Sequence, residues 1–177
     1  MYLLGTHGTT RSRADAIVNS RNFKPSLDGL YSRGVYLWAV HSHTGYAREN
    51  ARLWWTFAAA KGIYKGDANA ECAILEAKIE KPAEYYDAAT DEFNEKLYEI
   101  AKSKSVSGDK LKETLIWFVD EIAKELNTNF LVLKVLVPSP PPIGKSKGLV
   151  QLISKMSPAY VVKEGGLHLI KEIALVE

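Results

Sequence analysis

The sequence predicts an α+β domain, strands and helices interleaved along a single unit spanning residues 1–177. Three observations carry that reading. Short segments at 2–6, 34–39, 72–79, 130–137 and 160–162 are continuously apolar or alternate with period two, as buried and half-buried strands do. Longer stretches at 45–61 and 90–127 repeat apolar residues every three to four positions, the period of a helix with one buried face. A chain of 177 residues with 46% apolar content has the size of one domain and enough apolar mass for a core.

Taken in order, residues 2–6 form a first strand, and His7 stands where that strand gives way to a loop, in Gly5-Thr6-His7-Gly8-Thr9-Thr10. Ser12 with Asp15 three residues later is close to a capping box, and Ala14, Ile17 and Val18 supply a stripe, so a short helix is expected over 12–20. A loop with Pro25 follows. Gly29-Leu-Tyr-Ser-Arg-Gly34 is a turn leading into a strand with Tyr36 and Trp38 on one face and Val35 and Leu37 on the other. Gly34 there would let the backbone come close to a ligand.

The helix over 45–61 carries Ala47, Ala51, Trp54, Trp55 and Ala58 on a wide face; Gly62 suits its end, and Trp54-Trp55 reads as core. The strand at 72–79 stops before Pro82. Phe93, Leu97 and Ile100, then Leu111, Leu115, Phe118, Val119, Ile122 and Leu126, give two helices broken at 105–109; the 91–127 segment reads as a helical insertion that packs on the sheet or docks a partner. After the buried strand at 130–137 come Pro138-Ser139-Pro140-Pro141-Pro142 with Lys145 and Lys147 behind them, either a stiff connector or a surface for an acceptor. Leu149, Leu152 and Ile153 suggest a short helix, and 160–162 and 168–176 read as two strands about a turn at 163–166.

Composition narrows the function classes. With a single cysteine, Cys72, no intrachain disulfide can form, and a cytoplasmic location is expected. There is no cationic segment followed by a long apolar run and no apolar stretch near 18 residues, so neither a signal peptide nor a membrane span is expected. His41, His43 and His168 have no Cys or carboxylate at metal-ligand spacing, and no metal is assigned. Residues 1–66 hold nine Lys/Arg against three Asp/Glu, a net +6, while 67–177 hold fourteen against eighteen, a net −4. The basic half suits a pyrophosphate or a nucleic acid, although uneven surface charge alone gives the same count.

His7-Gly8, then Gly34-Val35-Tyr36-Leu37, then Thr44 and Tyr46 form an ordered set. That set resembles the donor site of the ADP-ribosyltransferases related to the poly(ADP-ribose) polymerases, the His-Tyr-Glu type. The resemblance covers roughly the first 60 residues well and the rest in outline. It implies a split antiparallel β core flanked by helices, with NAD as the substrate and no metal. It further implies that His7 bonds the adenosine-side ribose, that the backbone of Gly8, next to Thr9, binds the nicotinamide carboxamide, and that Tyr36, after Gly34, packs by the nicotinamide ribose. Thr44 would bond the carboxamide and Tyr46 would stack on the ring; their interval is one residue shorter than in many relatives.

The family's third element is a glutamate opening a late strand, whose carboxylate bonds the ribose 2′-hydroxyl and opposes the positive charge of an oxocarbenium-like transition state. The matching stretch is Pro158-Ala159-Tyr160-Val161-Val162, with Ala159 at the carboxylate position. A methyl group does neither job, and loss of such a contact costs about 2.7–4 kcal/mol of barrier. Three explanations stay open: an engineered inactive form of a toxic enzyme, a carboxylate borrowed from elsewhere with Glu164 nearest in sequence, or a relative that binds without catalysis. By analogy the parent sequence is a mono-ADP-ribosyltransferase of a toxin or defence system with a neutralising, antitoxin-like protein partner. Its acceptor would be RNA, DNA or protein; Arg11, Arg13, Arg21, Lys24, Arg33, Arg48 and Arg52 favour nucleic acid, while no usual stacking platform is evident. A non-catalytic NAD- or nucleic-acid-binding module and an RNA 2′-phosphotransferase are the alternatives.

Overall fold

The computed structural model describes residues 1–143 and 153–177. Its strands are β1 (Tyr2–Thr10), β2 (Gly34–Val40), β3 (Cys72–Glu80), β4 (Tyr85–Asp87), β5 (Val132–Pro138), β6 (Met156–Lys163) and β7 (Ile170–Leu175). They form one mixed sheet in the order β4-β5-β6-β2-β1-β3-β7, antiparallel throughout except for the β4–β5 pair. The helices are α1 (Arg11–Ser20), α2 (Thr44–Ala60), α3 (Asp91–Ser103) and α4 (Leu111–Glu125). The protein is therefore a mixed α+β fold with helices flanking a seven-stranded sheet.

Period-two alternation sorts the strands onto two faces. Val35, Leu37, Leu75, Ala77, Tyr160 and Val162 bury against α1, through Ala14, and against Phe23. Val135, Ala159 and Val161 face the other way, with Tyr36 and Trp38, onto Phe93 of α3 and Leu115, Phe118 and Val119 of α4. Helix α2 lies on that second face too: Thr6 pairs in register with Trp38, and its hydroxyl donates to the Ala47 carbonyl at 2.8 Å. The 91–127 segment thus packs on the sheet through Phe93, Leu115, Phe118 and Val119, with Leu97, Ile100 and Ile122 half-buried against them and Leu111 and Leu126 exposed.

The sheet is continuous where a split core was expected, but it opens at one place. β1 pairs with β3 along its whole length, from Tyr2 opposite Glu80 to Thr10 opposite Cys72. With β2 it pairs only over Leu4–Thr6 opposite Trp38–Val40, while the first part of β2, Gly34–Trp38, pairs with β6. Beyond Thr6 and Trp38 the two central strands diverge, and the C-terminal end of β1 and the N-terminal end of β2 form the arms of a fork.

Several local expectations change. His7 is in mid-strand, opposite Leu75, because pairing with β3 carries β1 on to Thr10. Ser12 does not cap α1; Thr10 does, accepting from the Arg13 N–H, while the Ser12 hydroxyl donates to the Asn69 carbonyl and Asp15 pairs with Arg11. The two C-terminal strands make no hairpin: β6 lies between β5 and β2, and β7 caps the far edge beside β3. Residues Glu164–Leu169 between them form a 3-10 turn in which His168 is exposed rather than a strand residue. β4, three residues long and just beyond Pro82, was not anticipated. Lys145, Lys147, Leu149 and Leu152, with the short helix expected there, lie outside the described residues.

Candidate functional site at the fork of the sheet

A cavity of about 510 Å³ opens where β1 and β2 diverge. Residues 34–38 of β2 line it in one unbroken run, of which 34–37 are the part of the strand that β1 no longer pairs. His7 enters from β1, Ala159 from β6, and the Pro138–Pro141 segment and Trp54 of α2 close further walls.

His7 compensates for the broken ladder. Its Nδ1 lies 3.2 Å from the Tyr36 carbonyl, a backbone acceptor on the part of β2 that β1 no longer pairs. Donation from Nδ1–H fixes the tautomer and leaves Nε2 as an acceptor. Burial pushes the imidazole below its ordinary range, more than the carbonyl bond raises it, so the ring is neutral at physiological pH. Phe23 holds the ring edge-on, with centroids 5.4 Å apart.

Tyr36 has a structural duty. Its hydroxyl accepts from the N–H groups of Tyr31 at 2.9 Å and Ser32 at 3.3 Å and donates to the Ser32 carbonyl at 3.1 Å. A side chain on Gly29 would collide with the Tyr36 ring, its Cβ falling 2.5 Å from Cε2 and Oη. The turn is closed by a two-way backbone bridge between Ser26 and Gly34, and Tyr31, whose phenol burial pushes up to about 12, bonds the Leu136 carbonyl. Tyr36→Phe removes three contacts from this turn at once. It is expected to lower stability by about 1–3 kcal/mol in urea denaturation, since the freed backbone groups are partly buried; an unchanged midpoint would show that the turn holds without the phenol.

Gly34 does make a close approach, but to protein: a Cβ there would sit 2.4 Å from the Val162 carbonyl of β6. Gly8 is similarly occupied. It faces α2, and its Cβ would lie 1.8 Å from the Ala51 carbonyl. Thr9 is buried on β1. Thr44 opens α2 and Tyr46 follows within its first turn; neither lines the cavity. Tyr46 instead reaches Ser157, Oη to Oγ 2.8 Å, and Ser157 Oγ lies 2.7 Å from Ser139 Oγ at the cavity wall. Ser157 is fully buried and shares the face of β6 with Ala159, so this hydroxyl chain ties α2, β6 and the proline segment together behind the site.

His7, Gly34, Tyr36 and Ala159 are thus brought to one cavity, while Gly8, Thr9, Thr44 and Tyr46 stand around it. Glu164 is exposed in the turn after β6 and does not line the cavity; among the described residues the carboxylate that does is Asp28, ion-paired with Lys112 of α4. Sequence reasoning missed Asp28 and misplaced Trp54, which is 38% exposed on the cavity wall and not core; Trp55 is half-buried and donates Nε1–H to the Ala70 carbonyl. The helical stripe that suggested core is real, but the sheet beneath α2 is met by Ala47, Ala51 and Ala58, and the indoles project past them.

Among the described residues no group of three or more His, Cys, Asp or Glu is placed to hold a metal ion, and no helix is long and apolar enough to cross a membrane. No protein-family model, curated protein or solved structure matches the chain.

Proposed function

We propose that the cavity is an NAD site of the ADP-ribosyltransferase kind and that the parent sequence, with a carboxylate at position 159, transfers ADP-ribose to an acceptor with release of nicotinamide. One observation carries the reading: His7, Tyr36 and Ala159, from three different strands and opposite ends of the chain, line one cavity. A neutral His7 with Nδ1 committed to the Tyr36 carbonyl presents Nε2 to a ribose hydroxyl, the role the resemblance gives it. Tyr36 has its hydroxyl engaged and offers the ring, a rigid wall for a ribose or nicotinamide.

The reaction breaks the bond from the ribose anomeric carbon to the nicotinamide nitrogen. The electron pair leaves with nicotinamide, and an acceptor oxygen or nitrogen takes its place and loses a proton. The transition state carries positive charge at the anomeric carbon, and a carboxylate opposite it supplies the electrostatic term. Ala159 cannot do so, which favours a second reading for the chain as it stands: a site that binds NAD and leaves it whole. RNA 2′-phosphotransfer has less support, because it calls for arginines aimed at a terminal phosphate and none lines the cavity among the described residues. A toxin or defence role with a neutralising partner remains an analogy with the family. The test is nicotinamide release from NAD by Ala159→Glu beside the unchanged chain.

A further inference from the structure

The nine cations of residues 1–66 are not equivalent in the fold. Arg11 pairs with Asp15, Arg13 with Asp67 at 2.8 Å, Arg48 with Glu76 at 2.7 Å, and Arg52 with Glu49 and Glu177. Those four are largely neutralised within the protein. Arg21, Lys24, Arg33, Lys61 and Lys65 are exposed and make no ion pair among the described residues; Lys61 and Lys65 follow the end of α2, while Arg21, Lys24 and Arg33 share the loop between α1 and β2. That loop bounds the cavity, and Lys24 lines it. Asp28, the acid on the same loop, is occupied by Lys112, so the loop meets a ligand as a cationic strip.

Trp54 supplies the second half of the argument. An indole 38% open to solvent, on the wall of the same cavity as Lys24, is a flat apolar surface available for stacking. Exposed aromatics beside unpaired cations are what single-stranded nucleic acid uses: bases stack on the rings and phosphates lie on the cations, whereas a duplex keeps its base faces hidden.

We infer that the mouth of the cavity is a binding site for single-stranded nucleic acid, with a base stacked on Trp54 and phosphates held by Lys24 and Arg33. As the identity of the acceptor this rests on the transferase reading above, but the binding itself does not. The geometry requires no base-specific hydrogen bonds, so affinity is expected to be sequence-tolerant and salt-dependent.

The test uses fluorescein-labelled eight-nucleotide single strands, one DNA and one RNA, and a DNA duplex of the same length, followed by anisotropy over a salt series. Both single strands are expected to bind the full chain more tightly than the duplex does, and the tighter of the two names the sugar. Trp54→Ala is expected to weaken single-strand binding about tenfold, with Trp54→Phe retaining most of it. Lys24→Gln with Arg33→Gln is expected to lower the slope of log affinity against log salt by about 1.4, for two phosphates. Equal affinity in the chain and in a folded Trp54→Ala variant, preference for the duplex, or no binding at low salt would each overturn the inference; if Trp54→Ala fails to fold, full affinity in Trp54→Leu does so. Titrating NAD into the same proteins separates the two claims. Oligonucleotide binding without NAD binding contradicts the transferase reading alone, and NAD binding without oligonucleotide binding contradicts this inference alone.

Discussion

Replacing Ala159 by glutamate is expected to raise nicotinamide release from NAD at least about a hundredfold over the unchanged chain, the scale on which one preorganised electrostatic contact acts. The position can take the side chain in a way its neighbours cannot. Ala159 is 1% exposed and sits in register between Trp38 and Val135, so a residue there that found only those partners would bury a charge at a cost of several kcal/mol. It also lines the cavity, which gives a longer side chain room to place its carboxylate away from the apolar wall. The measurement is labelled nicotinamide released by purified Ala159→Glu, with whole-cell RNA, DNA and protein present and the labelled fraction identified afterwards. Ala159→Gln is the companion: similar in shape and uncharged, it is expected to remain near the level of alanine. A folded glutamate variant as silent as the unchanged chain would show that β6 does not present the catalytic position.

Gly8→Ala is expected to lower stability by about 3 kcal/mol, the upper part of the range for overpacking a closed interface. Thr6 and Gly8 stand two apart on the face of β1 that meets α2, and Ala47 and Ala51 stand four apart on the helix, so the two pairs match. At the first pair a hydroxyl bonds a carbonyl; at the second the glycine α-carbon lies against one. A methyl group 1.8 Å from the Ala51 oxygen meets backbone, which cannot turn aside as a side chain does, and α2 must lift. Trp54 and Tyr46 would move with it, so the cavity wall and the Tyr46–Ser157–Ser139 hydroxyl chain are expected to loosen together. Thermal and urea unfolding give the stability, and the near-ultraviolet dichroism of the tryptophans reports the helix. A loss below about 1 kcal/mol would mean that α2 is not seated on β1 in this way.

Where neighbouring residues decide the structure, the sequence was informative. Alternation located six of the seven strands and placed Tyr36 and Trp38 on one face of β2 with Val35 and Leu37 on the other. Repeats of three and four located α2, α3 and α4, because burial of one face leaves that period in the chain. What depended on distant partners was hidden. Nothing near His7 says that pairing with β3 extends β1 to Thr10, and nothing near residue 168 says that the last strand joins β3 rather than β6. Within the site, the motifs pointed to eight positions, of which His7, Gly34, Tyr36 and Ala159 line the cavity and Gly8, Thr9, Thr44 and Tyr46 do not. Trp54 was misread because its helical spacing is that of a core residue, and only the alanines beside it show that the helix approaches too closely to bury an indole. Asp28 stands in a loop without periodicity and carries no signal that separates it from any other turn aspartate.

The most direct test of the proposal that this cavity binds NAD is a calorimetric titration of NAD into the unchanged chain and into His7→Ala, with both proteins checked for folding. The site described here is expected to bind one NAD per chain, to lose at least about tenfold in affinity when the Nε2 acceptor is removed, and to release no nicotinamide during the titration. No heat of binding from the folded chain, or equal binding by both proteins, would contradict the assignment of this cavity to NAD.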